Sequence, residues 1–248
     1  MISKNILLQA RIKQEFKPYI QSIVCSKSDQ IIGGELLLRW HTSDGRIIYP
    51  DAFISLADST GVLPDITIDM IKESFCSLSR LGFTNEKRFY LSVNITPSIL
   101  YNKNFIDNCI NLSRNKNLLL IFELTEQYPF LINNQVISIL QNLKEKGIGL
   151  ALDDFGTNCS VLSYLQYFPI DFLKIDKVFT QNICVKKNTR YIIESIIDLS
   201  FKLNIKTIAE GIENLEQINE LRLMGVDFFQ GYYFGRPINI YSFINNNY

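Results

Sequence analysis

Polar side chains capable of acid, base or ligand chemistry close a series of apolar runs in this 248-residue chain. Asn94 ends LSVN, Glu123 ends LLLIFE, Asp153 and Asp154 end IGLALDD, Glu210 ends KTIAE and Gln230 ends DFFQ. Two more lie inside such runs, Glu35 in GGELLLRW and Lys174 in DFLKID. Taken singly, an aspartate after a strand is an ordinary loop or helix N-cap residue. Gathered at one place, several carboxylates repel one another unless cations neutralise them, and an oxygen-only donor set selects a hard metal such as Mg²⁺ or Mn²⁺. The single histidine, His41, removes zinc hydrolases of the H-E-x-x-H type and phosphodiesterases built on His-Asp clusters. The chemistry falls to carboxylates, amides and amines.

The elements that would gather these groups are eight short apolar, β-branched runs: 19–25, 31–40, 89–95, 118–124, 147–153, 171–175, 205–209 and 226–232. Helical patterns with proper ends lie between most of them. One has Asn214 as N-cap, Gln217 three residues on, Leu215, Ile218 and Leu221 on one stripe, and Gly225 at its stop. Another stripe is Ile192, Ile196, Leu199 and Leu203. Strands alternating with helices give parallel neighbours, and eight of them predict an α/β fold, a (β/α)₈ TIM-like barrel, in a single domain over residues 1–248. Only Ser26 to Asp29 separate the first two runs, too few residues for a crossover helix. Those runs form an antiparallel hairpin, so the barrel carries one antiparallel strand at its start.

In a parallel barrel the active site lies at the carboxyl ends of the strands, where the polar residues above fall. Residues at i, i+2 and i+4 of a strand share a face. Glu35, Leu37 and Arg39 therefore point one way, as do Lys174 and Asp176. A glutamate and an arginine so spaced suit a metal below and a phosphate above; the competing assignment is a buried ion pair that fixes the barrel. Lys174 between Leu173 and Ile175 needs anions nearby, because an unpaired buried ammonium is costly to desolvate.

The 25 basic and 25 acidic residues leave no net charge, hence no general field to draw DNA or RNA. No apolar run reaches the roughly 20 residues that span a bilayer, and Ile6 to Leu8 is too short for a signal-peptide core, which predicts a cytoplasmic protein without a membrane contact. Five cysteines at wide spacing, with no C-x-x-C pair, read as reduced and mostly buried.

GGELLLRW, LSVN, FELTE, LALDDFGT, LKIDKVF, IAEGIE and QGYYFGRP occur in the order and approximate spacing of the EAL-domain family of cyclic di-GMP phosphodiesterases, which the chain resembles over about residues 15 to 245. The resemblance implies a barrel with a reversed strand, two divalent cations, Mg or Mn, and hydrolysis of cyclic di-GMP to linear pGpG. It assigns Glu35, Asn94, Glu123 and Asp153 to the first metal, with Asp153 bridging to a second that Asp154 completes. Lys174 matches the catalytic lysine, and Glu210 the glutamate proposed as general base or water-mediated ligand. Gln230 supports the site and, with Arg39, Asp176 and Pro237, faces substrate. Glu126 matches the residue that anchors the loop after the double aspartate.

The chain departs from the family pattern at Leu36, where the family has alanine; by parity Leu36 faces the outer helices, so ligation is expected to survive. It departs again at Asn158, Cys159, Ser160 and Val161. The family couples that loop, and the helix predicted over 160–167, to a homodimer, so Cys159 and Val161 are expected at a self-contact. No recognisable regulatory segment precedes the barrel, which reads as a stand-alone module. The alternative is a catalytically weak relative that serves as a cyclic di-GMP receptor or protein-binding regulator, a reading that loss of metal ligands would favour; every expected ligand is present. A glycosidase acid and nucleophile on the same barrel fits less well, given one tryptophan and the presence of Lys174 and Asn94 among the acids.

Overall fold

A computed structural model describes residues 2–81, 88–115, 117–125, 128–156 and 161–247. After a capping helix α1 (Lys4–Ile12), strands β1 (Phe16–Cys25) and β2 (Ile31–His41) form the expected antiparallel hairpin, with Gln21 opposite Glu35. A short β3 (Ile47–Ile48) folds back on the end of β2, followed by helices α2 (Ile54–Ser59) and α3 (Leu63–Leu78). The chain continues through β4 (Phe89–Ile95), α4 (Pro97–Leu100), α5 (Lys103–Leu112), β5 (Leu118–Leu124), α6 (Asn134–Glu145), β6 (Gly149–Phe155) and α7 (Val161–Tyr167). It ends with β7 (Phe172–Ile175), α8 (Lys177–Thr180), α9 (Lys187–Leu203), β8 (Lys206–Ala209), α10 (Leu215–Met224), β9 (Phe228–Phe229), β10 (Ile238–Asn239) and α11 (Ile240–Asn247).

Eight of these strands close a barrel in the order β1, β2, β4, β5, β6, β7, β8, β9 and back to β1. All neighbours are parallel except those of β1, which runs against both β2 and β9. The reversed strand is therefore the first one. Outward residues such as Leu36, Leu91, Leu120, Leu150 and Leu173 join one continuous core under the helices. Leu36 thus lies in that outer layer, as parity required.

Inside the barrel, Ile23, Ile121, Ala151, Phe172 and Ile208 form a separate apolar cluster, with Ile32, Tyr90, Leu119 and Phe228 packed on it. Tyr90 meets Phe172 edge-on at 5.7 Å. This plug fills one end of the barrel. Two residues further toward the carboxyl ends, the same faces carry Glu123 after Ile121, Asp153 after Ala151, Lys174 after Phe172, Glu210 after Ile208 and Gln230 after Phe228. In the reversed β1 the step runs the other way, from Ile23 back to Gln21.

Strand and helix limits differ from the sequence reading where punctuation was weak. The last run shrinks to Phe228–Phe229, and the fifth starts at Gly149 because Gly147 takes a left-handed turn at φ +85° after α6. On α9 the buried stripe is Thr189, Ile193, Ile196 and Ser200, leaving Ile192 and Leu203 exposed. Of the predicted stripe, Ile196 is buried and Leu199 is half-buried against the core, so the covered face overlaps the predicted one and is turned toward Ile193. Leu215 in the first turn of α10 is likewise exposed, while the predicted capping box of Asn214 and Gln217 and the left-handed Gly225 stop are present. Of the cysteines, Cys109 is buried, Cys25 half-buried and Cys76 and Cys184 exposed, which corrects the expectation of mostly buried thiols; Cys76 sits on the solvent face of α3 and Cys184 in the turn after α8. Cys159 lies outside the described residues. Among the described residues no helix is long and apolar enough to cross a membrane.

Candidate active site

Lys174 is the centre of the polar layer. Its side chain is 1% exposed, and its ammonium lies 2.9 Å from Glu123 Oε2, 2.9 Å from Asp153 Oδ1, 2.8 Å from Glu210 Oε1 and 3.5 Å from Glu35 Oε2. Burial alone would lower its pKa, yet Asp153, Glu123, Glu210 and Glu35 together hold it well above the usual lysine value. One positive charge facing four carboxylates leaves the group net negative, and the carboxyls register this. Glu123 is pushed well above the ordinary carboxylate range, first by burial and then by Glu35. Glu210 rises to about 8 through burial, with Asp153 and Glu35 adding to it against the pull of Lys174.

Asp154 reaches the same cleft by leaving the strand pattern. A regular strand would send it to the face opposite Asp153, but the β6 register shifts between Leu152 and Phe155, and Asp154 adopts φ +55°. That left-handed backbone, tolerable for aspartate, turns both carboxylates inward. Burial, then the charge of Asp153, then the hydrogen bond and charge of Asp176 raise the Asp154 pKa to about 6. Asp153, Asp154 and Glu210 each offer an oxygen within 4.8 Å of the others.

The remaining predicted residues take definite places. Asn94, at the end of β4 and opposite Glu123 in register, donates from Nδ2 to Glu35 Oε1 at 2.9 Å. Gln230 donates to Glu35 Oε2 at 2.7 Å, so Glu35 is held from two sides. Asp176 is the N-cap of α8, accepting Val178 N–H at 2.7 Å, and its carboxyl lies against Asp154. Arg39 stands apart from the acids: it is half-buried, donates to Leu38 O at 2.7 Å, and packs its guanidinium over the rings of Tyr19 and Tyr49 at 5.5 and 4.9 Å. The Glu35–Arg39 ion pair weighed from the sequence does not form; the cation beside Glu35 is Lys174. Pro237 follows Gly235 and Arg236 on the segment leading into β10. Glu126 lies outside the described residues, as do positions 157 to 160.

Sequence reasoning missed Gln21. It accepts from Gln230 Nε2 at 3.3 Å and donates to Gly235 O at 3.1 Å, tying the segment after β9 to Glu35 through Gln230. The alternation of β1 around Ile23, read in reverse, would have found it. Tyr19 and Tyr49, over whose rings Arg39 packs, left no signal beyond their type.

The donor set fits a hard divalent cation. It is made of oxygens alone, it carries more negative charge than Lys174 balances, and buried Glu123 Oε1 has no hydrogen-bond partner. Carboxylate and amide oxygens in this number suit Mg²⁺ or Mn²⁺.

A closed barrel with one reversed strand and acids at the carboxyl ends of its strands defines a TIM-like α/β protein with a candidate metal centre. The chain belongs to the EAL domain family, whose profile matches residues 4–237. It is 35% identical over 248 residues to the cyclic di-GMP phosphodiesterase PdeL of Escherichia coli K12, covering 99% of this chain and 68% of that protein. To the probable cyclic di-GMP phosphodiesterase PdeG of the same organism it is 32% identical, covering 95% of this chain and 47% of that one. The fold is similar to EAL enzyme Bd1971 in its cAMP- and cyclic-di-GMP-bound form, with TM-score 0.86, 31% identity, and coverage of 98% and 68%. It is also similar to the PaMucR phosphodiesterase in complex with c-di-GMP, with TM-score 0.83, 29% identity, and coverage of 96% and 98%.

Proposed function

We propose that the chain is a divalent-metal-dependent phosphodiesterase that opens cyclic di-GMP to linear pGpG. The observation that carries this reading is the convergence of Glu35, Glu123, Asp153 and Glu210 on one buried ammonium, with Asp154 turned in beside them. Relatives named cyclic di-GMP phosphodiesterases supply the substrate. Glu35, Asn94, Glu123, Asp153 and Asp154 would hold two cations, Mg²⁺ or Mn²⁺. When bound, such ions polarise a phosphoryl group and lower the pKa of water.

The chain's own residues divide the remaining work. Lys174, whose three N–H groups face Glu123, Asp153 and Glu210, would turn one of them to a phosphate oxygen that gains charge as the bond to the attacking oxygen forms, once cations share those carboxylates. Glu210, the most exposed of the four carboxylates around Lys174, would take the proton of the attacking water. Gln230 and Asn94 fix the Glu35 carboxylate by hydrogen bonds to its two oxygens. Asp176 holds Asp154 while capping α8. Arg39 uses one of its five N–H groups on Leu38 O and offers the others to substrate phosphate.

The reading includes a homodimer. Tyr164 of α7 donates to Phe130 O and accepts Phe130 N–H. The two segments it joins expose Leu131, Ile132, Leu162 and Tyr167. Such an apolar surface suits a two-fold self-contact. Incubation of the purified chain with cyclic di-GMP and Mg²⁺ or Mn²⁺, followed by separation of products, tests the activity. Linear pGpG is the expected product, formed only with metal. Tight binding without product would favour the receptor reading, and neither binding nor product would remove both.

A further inference from the structure

At the mouth of the barrel, the one feature that the acidic cluster does not account for is the setting of Arg39. It is a half-buried cation, and burial lowers its pKa. Among the described residues no carboxylate lies within ion-pair distance of it. Aromatic rings supply what a carboxylate would otherwise give. Tyr19 covers one side, and its hydroxyl lies 3.2 Å from His41 Nε2. Tyr49 covers the guanidinium at the shorter distance, 4.9 Å to the ring centroid, although its side chain is largely exposed.

Tyr49 arrives there by register. In the β2–β3 hairpin, Trp40 pairs with Ile48 and His41 with Ile47. One step further along the same ladder sets Tyr49 opposite Arg39. Pro50 follows, which confines Tyr49 to extended backbone, and its φ of −82° and ψ of 155° agree. A stiff backbone thus carries an exposed ring to a position where water contact gains it little. Guanidinium groups stack on aromatic faces and keep their N–H edge free when they do so.

We propose that Tyr49 is a positioning residue for substrate binding: its ring holds the Arg39 guanidinium flat against the mouth of the barrel with the N–H edge turned toward the substrate phosphate. The inference rests on the phosphodiesterase reading and adds a residue to it. Tyr49 touches Arg39 and leaves the reacting atoms to others, so its loss should weaken substrate binding and spare the chemical step.

The test is steady-state hydrolysis of cyclic di-GMP with Mn²⁺ by the full chain, alongside Tyr49→Ala, Tyr49→Phe, Arg39→Ala and the Arg39→Ala/Tyr49→Ala double variant. Tyr49→Ala should raise KM roughly two- to fivefold, the range a partly exposed cation–π contact supports, with kcat unchanged. Tyr49→Phe, which keeps the ring, should recover the wild-type KM. In the Arg39→Ala background Tyr49→Ala should add nothing, because the ring then has no guanidinium to hold. A Tyr49→Ala effect that persists without Arg39 would show the ring contacting substrate by itself, and an unchanged KM would show no role; either overturns the proposal. Absence of hydrolysis and binding by the wild-type chain would instead remove the phosphodiesterase reading, and this inference with it.

Discussion

Asp153 and Asp154 are neighbours in the chain and also neighbours in the cleft, because the backbone at Asp154 turns left-handed and breaks the alternation of β6. The left-handed turn brings a raised carboxyl, near 6, into a group in which Glu123 and Glu210 are raised further.

Cations must displace protons from such a group. With Glu210 at about 8 and Asp154 at about 6, apparent affinity for Mg²⁺ or Mn²⁺ should climb between pH 6 and 8, and binding at pH 7 should release protons. Titration calorimetry in two buffers of different ionisation enthalpy measures both; a pH-independent affinity without proton release would contradict the assignment. The sign for stability follows from the same shifts. A carboxyl whose folded pKa is raised stabilises the fold below its ordinary value near 4.5 and loses that contribution as pH rises through the folded value. In excess chelator the melting temperature should therefore fall from pH 6 to pH 9, and added cation should reverse the fall.

Lys174→Met separates the ammonium from the metal ligands. Turnover should drop by orders of magnitude, since the donor proposed for the phosphate is gone. Stability in chelator should fall as well, by about 3–5 kcal/mol, because the carboxylates lose their buried counter-charge. Mn²⁺ should raise the melting temperature of this variant more than that of the wild type, read by differential scanning fluorimetry. A variant with wild-type turnover would dismiss Lys174 from the mechanism.

The alternation of the strands made most of the site legible. Phe89–Ile95 and Leu118–Leu124 match their predicted limits, each run closing one residue past a polar side chain, and the i+2 step from plug to polar layer follows from strand geometry. Asp154 obeys no such rule. Its doubled aspartate was visible, but only the bulge that the fold imposes turns it inward. Gln21 was hidden by the reversal of β1, and Arg39 looked from spacing like a partner for Glu35, whereas it packs over the Tyr19 and Tyr49 rings. On α9 the buried face sets Thr189 and Ser200 beside Ile193 and Ile196, and a search for large apolar residues overlooks the two small ones.

Gly231 sits where a side chain has no room: a Cβ there would meet Ile212 O at 2.1 Å and Ile212 N at 2.2 Å. Those same backbone groups bond Gln230 O and Tyr233 N–H. Gly231→Ala should cost about 1–3 kcal/mol in urea unfolding and lower kcat/KM by displacing Gln230 from Glu35. Wild-type stability and activity together would show that the segment yields without harm.

Leu162 on α7 is 64% exposed, and a two-fold contact would bring it near its own copy. Leu162→Glu should convert a dimer to a monomer in size-exclusion chromatography with light scattering, with turnover reduced through the loop that follows Asp154. An unchanged mass would place the self-contact elsewhere.

The ammonium at the heart of the acid cluster also bears on how the protein matures. Four carboxylates brought together by strand closure would oppose that closure, but Lys174 travels into the barrel on β7 and meets them as they arrive. The folded chain thus carries a counter-charge of its own for these acids, so that closing the barrel need not require a divalent ion.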